Sequence, residues 1–438
     1  MKKTGFLYKS LTAARLAAML GGLAGGAIAA GFALNEQSGS GVGVAFAGGA
    51  ASGEDASTVF YNPAAMVRIS GTQLSVGVHG VVPNLTFNNQ GSFTGPAGGP
   101  FVPLTGGNGG DPGTGLVVPN FYLVTDITPN IKYGFGVSAP FGLHTQYNGD
   151  WVGRYQALKS EIKSYNLNPS LAYKVNDRVS FGAGFNAQYI NANLTKAIDF
   201  GLLSGGVPQS ADGAVGVSGH SWAFGYNLGA LFQFPTDTRI GLAYRSTVHQ
   251  TLEGSASFTN VPAALSADTR FANNKMTAAV TLPDSISLSA VQGIGDKWEL
   301  LSDVTFTRWS YFNQLAVVLA NGQTSVTTEN WRNTFRGSLG ASYRYSDSLK
   351  LRAGAGFDQS PVRNAFRTAA IPDNHRKILA AGANYKVSKV DSVDFAYQHL
   401  FVNDSSINNN QLAASNGQLI GSYTLDVNIM SLQYNHEF

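Results

Sequence analysis

The residues able to do chemistry are few and scattered. Seven histidines, His79, His144, His220, His249, His375, His399 and His436, show no spacing of a metal site or a Ser–His pair. No Gly-x-Ser-x-Gly elbow occurs. The chain has no cysteine, which rules out a disulfide, a thiolate metal site and a cysteine nucleophile. Catalysis is therefore not expected, and neither is a cofactor or metal. What remains is the chemistry of binding. Leu202-Leu203 with Val207-Pro208, and the run from Val261 to Leu265, are apolar stretches in segments that should otherwise be polar. Such patches mark binding sites, ordinary loop packing being the alternative. Pro140-Phe141-Gly142 is a third feature. Proline donates no ladder hydrogen bond and glycine weakens a strand, so a kink or bulge there would open a sheet, unless a strand merely ends.

These residues need a scaffold, and the chain start says where it is built. Lys2, Lys3, Lys9 and Arg15 precede any acid, the first of which is Glu36. An uncharged Ala/Leu/Gly stretch then ends in Ala27-Ile28-Ala29, the pattern of an export signal cleaved after Ala29. Without residues 1–29 and their four basic side chains, 25 of the 29 Lys+Arg remain against 26 Asp+Glu. That balance suggests no nucleic-acid partner. Only 13% of residues are charged, yet past the signal no stretch approaches the roughly 18 apolar residues of a membrane helix.

Period-two patterning points to a membrane barrel instead. Tyr165, Leu167, Leu171 and Tyr173 alternate with Asn166, Asn168, Ser170 and Ala172. Phe181, Phe185 and Tyr189 alternate with Gly182, Gly184, Asn186 and Gln188, and Leu339, Ala341 and Tyr343 with Ser338, Gly340 and Ser342. Several segments exceed ten residues, the length a tilted membrane strand needs. About fourteen can be counted, starting near 72, 116, 131, 161, 178, 220, 238, 275, 297, 332, 349, 375, 391 and 421. Short turns such as 175–177 and 345–348 alternate with long connections, the arrangement of periplasmic turns and extracellular loops. Residues 30–70, rich in Gly, Ala and Ser and broken at Asn62-Pro63, fit no lipid-facing strand. The expected organisation is a signal peptide at 1–29, a plug (hatch) at 30–70 and an all-β transmembrane barrel at 71–438, an unstructured leader being the alternative for 30–70. Met430, Leu432, Tyr434 and the terminal Phe438 share one face, and terminal Phe resembles the signal read by the barrel assembly machinery.

Four ordered stretches resemble the outer-membrane long-chain fatty acid transporters, the FadL family. They are Ala30-Gly31-Phe32-Ala33-Leu34-Asn35-Glu36 with Ser38-Gly39-Ser40-Gly41; Asn62-Pro63-Ala64; Ala139-Pro140-Phe141-Gly142 leading to Gly153-Arg154-Tyr155; and Gly356 through Val362 followed by Ile371-Pro372-Asp373-Asn374 and Arg376. The resemblance implies a monomeric fourteen-stranded barrel with an N-terminal hatch, in the outer membrane of a Gram-negative bacterium. It implies passive uptake of long-chain fatty acids or similar hydrophobic molecules past the polar lipopolysaccharide layer. Loops around Leu202, Leu203, Val261 and Leu265 would make first contact, Lys196 would meet a carboxylate head group, and Pro140–Gly142 would form a lateral opening. Read on its own, Lys196 is equally a solvated loop lysine. A second basic head-group residue of the family falls where this chain has Thr327 and Thr328, with Arg332 nearby. That departure leaves room for uncharged aromatic or aliphatic hydrocarbons. A general porin, an outer-membrane enzyme and a structural barrel are the remaining readings.

Overall fold

The computed structural model describes residues 31–95, 101–113, 115–409 and 417–438; the expected signal peptide and Ala30 lie outside the described residues. Fourteen antiparallel strands close into a barrel. They are β1 (Gln73–Asn89), β2 (Leu116–Thr128), β3 (Ile131–Ser138 and Gly142–Gln146), β4 (Lys159–Lys174), β5 (Val179–Asp199), β6 (Asp212–Gln233) and β7 (Thr238–Arg245 and Val248–Thr259). Then come β8 (Asn274–Leu282 and Ser285–Ile294), β9 (Trp298–Thr307 and Gln314–Leu319), β10 (Thr324–Thr328 and Thr334–Arg344), β11 (Leu349–Asp358), β12 (Arg376–Lys386), β13 (Asp391–Val402 and Ser405–Asn409) and β14 (Leu419–Glu437). β1 pairs with β14 from Gln73–Glu437 to Asn89–Gly421, so the sheet has no free edge there. Closure matters because lipid offers no partner for an orphan N–H or C=O.

The alternation in the sequence reports two solvents. Leu171 (52% exposed), Phe181 (50%), Leu339 (69%) and Met430 (63%) project outward, where lipid covers them. Their neighbours Asn166, Asn168, Asn186 and Asn227 point inward and are buried in mutual hydrogen bonds of 2.9–3.1 Å. An outward aromatic cluster of Tyr165, Tyr189 and Trp222 marks one bilayer interface, and Trp298 packed on Tyr343 marks the other, at the short-turn end. The sixth strand starts at Asp212, not near 220, so β5 and β6 rise well past this aromatic level.

Residues 31–70 run through the barrel interior. Gly39 N–H donates to Gln433 on β14 (2.8 Å), Ala50 N–H to Ser289 on β8 (3.0 Å) and Asn62 Nδ2 to the Ala230 carbonyl on β6 (3.1 Å). Partners on so many walls put the segment in the lumen. Lys350 and Arg352 of β11 hold Glu54 at 2.7 and 2.6 Å. The wall makes room with glycine: a Cβ at Gly229 would overlap Asn62, and one at Gly241 would overlap Ala50.

Asn62 ties this segment down. Its Oδ1 accepts Ala64 N–H (3.0 Å), capping the 3-10 helix Pro63–Arg68, while Nδ2 donates to the Ala50 and Ala230 carbonyls. Asn62→Ala should therefore leave buried backbone groups unpaired at a cost of about 2 kcal/mol. Amide hydrogen exchange across residues 62–68 should accelerate while the strands stay protected. Unchanged protection there would show that Asn62 does not fasten the segment.

Candidate functional site

The site is a cleft of about 640 Å³ at the mouth opposite the short turns. Its walls are the inward faces of strand extensions that rise beyond the aromatic level. β5 contributes Leu194, Lys196 and Ile198; β6 adds Val215 and Val217; β7 adds Ala256 and Phe258. The hairpin of β9 and β10 supplies Leu315, Val317 and Leu319 with Thr327, and Phe271 closes the side. Alternation again decides the facing: even residues of β5 and odd residues of β6 turn inward, and here, Lys196 apart, the inward side chains are apolar. Leu203 reaches the cleft, whereas Leu202, Val261 and Leu265 do not line it. Of the two apolar loop stretches, then, only Leu203 enters the wall.

Lys196 stands in this greasy wall opposite Val215 of β6. It lies seven residues beyond Tyr189, roughly 23 Å along the strand and outside the bilayer. Burial pushes its ammonium below the usual lysine range, and among the described residues no carboxylate pairs with it. The other cations on the cleft are engaged, Lys159 with Glu161 (3.2 Å) and Arg270 with Asp268 (2.6 Å). A cation without a partner in apolar surroundings is suited to a ligand anion.

Glu329 shares the cleft and was not singled out from the sequence. It is 4% exposed, and burial pushes its carboxyl up to about 8 despite the bond it accepts from Trp331 Nε1 at 3.0 Å. At neutral pH it is therefore a neutral acid on the same cleft as the lysine. It directly follows the threonine pair where a second cation was expected. No local pattern signals its protonation, which depends on the walls folding over it.

Trp331 joins the cleft to what lies beneath. Its ring, with Trp309, Phe312 and Phe141, surrounds Phe32 at centroid distances of 5.0–5.8 Å. Phe32 is 1% exposed. Gly31 precedes it at φ +64°, and a Cβ there would come within 2.6 Å of the Trp331 ring. The Gly31 N–H donates to Asp373 Oδ2 (2.9 Å), which also accepts Ser360 Oγ–H (2.6 Å). Two motifs far apart in the chain thus jointly seat the N-terminal residues.

Below the aromatic cluster the wall itself is broken. β3 stops at Ser138 and resumes at Gly142; opposite it, β4 steps only from Asn166 to Lys163, so β3 carries one extra residue. The facing flips: Lys132 and Ser138 are inward before the break, Leu143 and Thr145 after it. The β2–β3 ladder ends at Phe121–Val137, and Leu116–Asn120 pair only with β1. The groups freed at the break are taken up from inside. Leu34 N–H donates to the Pro140 carbonyl (2.8 Å), Gly142 N–H to the Phe32 carbonyl (2.9 Å), and Gln37 Nε2 to the Ala139 carbonyl (3.0 Å). A cavity of about 130 Å³ adjoins the break, lined by Leu34, Tyr61, Pro140, Phe141, Arg245 and Arg336 among others. Of the N-terminal residues singled out above, Gly31, Phe32 and Asn35 gather between cleft and break. Asn62, Pro63 and Ala64 lie elsewhere, against the walls of β5 and β6.

A barrel greasy outside, with an apolar cleft at one mouth, defines an outer-membrane transport protein. The chain belongs to the family described as outer membrane protein transport protein (OMPP1/FadL/TodX), whose model matches residues 21–438. It is 34% identical to a putative outer membrane protein of Neisseria meningitidis, over 89% of this chain and 91% of that one. It is 31% identical to the long-chain fatty acid transport protein of Escherichia coli, covering 86% and 89%. The solved structure of a Pseudomonas aeruginosa FadL homologue superposes with a TM-score of 0.87 at 26% identity, over 93% of this chain and all of that one. The Pseudomonas putida toluene transporter TodX shares the fold at TM-score 0.68 and 15% identity, over 90% and 98%. The family consists of outer-membrane transporters, not enzymes, which removes the enzyme reading.

Proposed function

We propose that the chain takes up long-chain fatty acids, or amphiphiles of the same shape, and passes them sideways into the membrane. The observation that carries this is Lys196, a cation without a carboxylate partner among the described residues, set between apolar strand walls in a cleft of about 640 Å³. An alkyl chain gains roughly 0.8 kcal/mol for each CH₂ it withdraws from water, which the cleft walls provide. The carboxylate would then be met by Lys196, with neutral Glu329 able to donate a hydrogen bond. Leu203 on the cleft wall and the nearby apolar residues Leu202, Val261 and Leu265 would make the first contact.

From the cleft, the cargo would follow the aromatic cluster. Residues 30–70 act as the hatch, with Phe32 as its stopper between Trp331 and Phe141. Withdrawal of Phe32 would free the hydrogen bonds at Pro140 and Gly142 together, because the same short segment makes both. The open β2–β3 seam then gives a path into lipid without a water-filled pore. The threonine pair in place of a second cation favours a second reading, uptake of uncharged hydrocarbons. The family description that covers this chain also covers TodX, a toluene transporter.

The two readings differ in their response to pH. As pH rises through about 8, Glu329 ionises and repels an anion; burial holds the Lys196 ammonium below the usual lysine range, so it loses its charge at lower pH than a free lysine. Both changes have the same sign. Affinity for hexadecanesulfonate, which stays ionised throughout, should fall roughly tenfold between pH 7 and pH 9. Glu329→Gln should flatten most of that fall, and hexadecane affinity should not change. Equal pH profiles for the two ligands would favour the hydrocarbon reading.

A further inference from the structure

On the outer face of the barrel, beside the wall break, lies a polar cluster of which only Lys159 borders the cleft. Odd residues of β4 face outward, as Leu167 and Leu171 show by their exposure. Continuing upward past Tyr165, the same face carries Lys163, Glu161 and Lys159. Glu161 sits between the two lysines, with Lys163 Nζ at 2.9 Å and Lys159 Nζ at 3.2 Å. His144 on β3 completes the group, its Nδ1 3.5 Å from Glu161, and its Nε2 is buried without a partner. Asn193 and Asn191 on β5 stand opposite Glu161 and Lys163. Lys163 pairs across the ladder with Gly142, which puts its stem at the edge of the break.

We propose that Lys159 and Lys163 hold a phosphate of an outer-leaflet glycolipid at the rim of this opening. The position fits the lipid head-group layer, because Tyr165, Tyr189 and Trp222 mark the interface just below. The chemistry fits as well. Two ammonium groups carry six N–H donors, and the single carboxylate between them engages only part of these. Their side chains remain 35% and 34% exposed on the outer surface. The charge of the cluster with neutral His144 is positive by one, complementary to an anionic head group. Both ammoniums reach the same carboxylate, so they are close enough to share one phosphate. Lys159 also borders the cleft, whereas Lys163 does not. A glycolipid held there would lay its acyl chains against the break, where cargo leaving sideways would meet hydrocarbon.

The test is native mass spectrometry of the full-length protein with bisphosphorylated lipid A and with lipid A stripped of both phosphates. Wild type should retain the phosphorylated form on the order of tenfold better. The double variant Lys159→Gln/Lys163→Gln should lose that preference, and Lys163→Gln alone should lose part of it. Equal retention of the two forms by wild type, or an undiminished preference in the double variant, would overturn the proposal. So would displacement of bound lipid A by oleate in both wild type and Lys196→Ala, since the pair would then be serving cargo carboxylates. Hexadecanesulfonate binding in the cleft reads out the transport proposal separately.

Discussion

Deleting Pro140 should leave palmitate binding intact and reduce its uptake by at least about tenfold, a loss of more than ~1.4 kcal/mol in the rate-limiting passage. The register explains why. Residues 139–141 of β3 face only two residues of β4, so one deletion makes the strands commensurate. The facing flip disappears, β3 runs straight, and Leu116–Asn120 of β2, now paired with β1 alone, gain a partner on their β3 side. A closed seam offers no lateral path. The cleft is built mainly from β5, β6, β7 and the β9–β10 hairpin, which do not change; β4 contributes only its first residues, Lys159 and Ser160, whose ladder with β5 is kept. Heat-modifiable migration on gels would confirm that the variant assembles, and palmitate titration would confirm that its cleft is intact. An assembled variant that takes up palmitate at the normal rate would sink the lateral route and point to passage into the periplasm past residues 31–70.

Lys196→Ala has the second large effect. A charge-assisted hydrogen bond in an apolar wall is worth ~2 kcal/mol, so palmitate affinity should fall on the order of thirtyfold. Hexadecane affinity should hold or improve slightly, because the alanine removes a partly buried charge that no described carboxylate pairs. The contrast between the two ligands carries the information, since general damage to the cleft would weaken both. Equal losses would remove Lys196 from the head-group role and strengthen the hydrocarbon reading. Combined with the pH profile, the variant also separates the two titrating groups: in Lys196→Ala any remaining fall above pH 8 belongs to Glu329.

The architecture was legible because lipid imposes a strict rule. A strand in a closed wall must alternate between hydrocarbon and the lumen, and Phe181, Phe185, Leu339 and Met430 obey it in sequence as they do in space. The break at Pro140–Gly142 was legible for a local reason, since proline and glycine act on the backbone that carries them. Asn62-Pro63 marked a turn on the same grounds. The cleft was harder to read. Above the membrane the rule relaxes, so the extensions of β5 and β6 and the hairpin strand Gln314–Leu319 resemble loops in sequence. Leu202 and Val261 stand out there as apolar loop residues, whereas Phe258, Phe271 and Val317, which do build the wall, carry no local signal.

Chemistry between chain neighbours was enough to set the solvent of each strand face, the closure into a barrel and the place where the β3 ladder is interrupted. Which residues meet across the lumen was settled only by folding. Gly31 reaches Asp373 across 342 positions, and Phe32 finds four aromatic rings drawn from the β3 break, the β9 region and the approach to β10. Glu329 becomes a neutral acid only when buried beside Trp331. Burial and long-range contact belong to the closed cylinder as a whole, and no stretch of chain carries them alone.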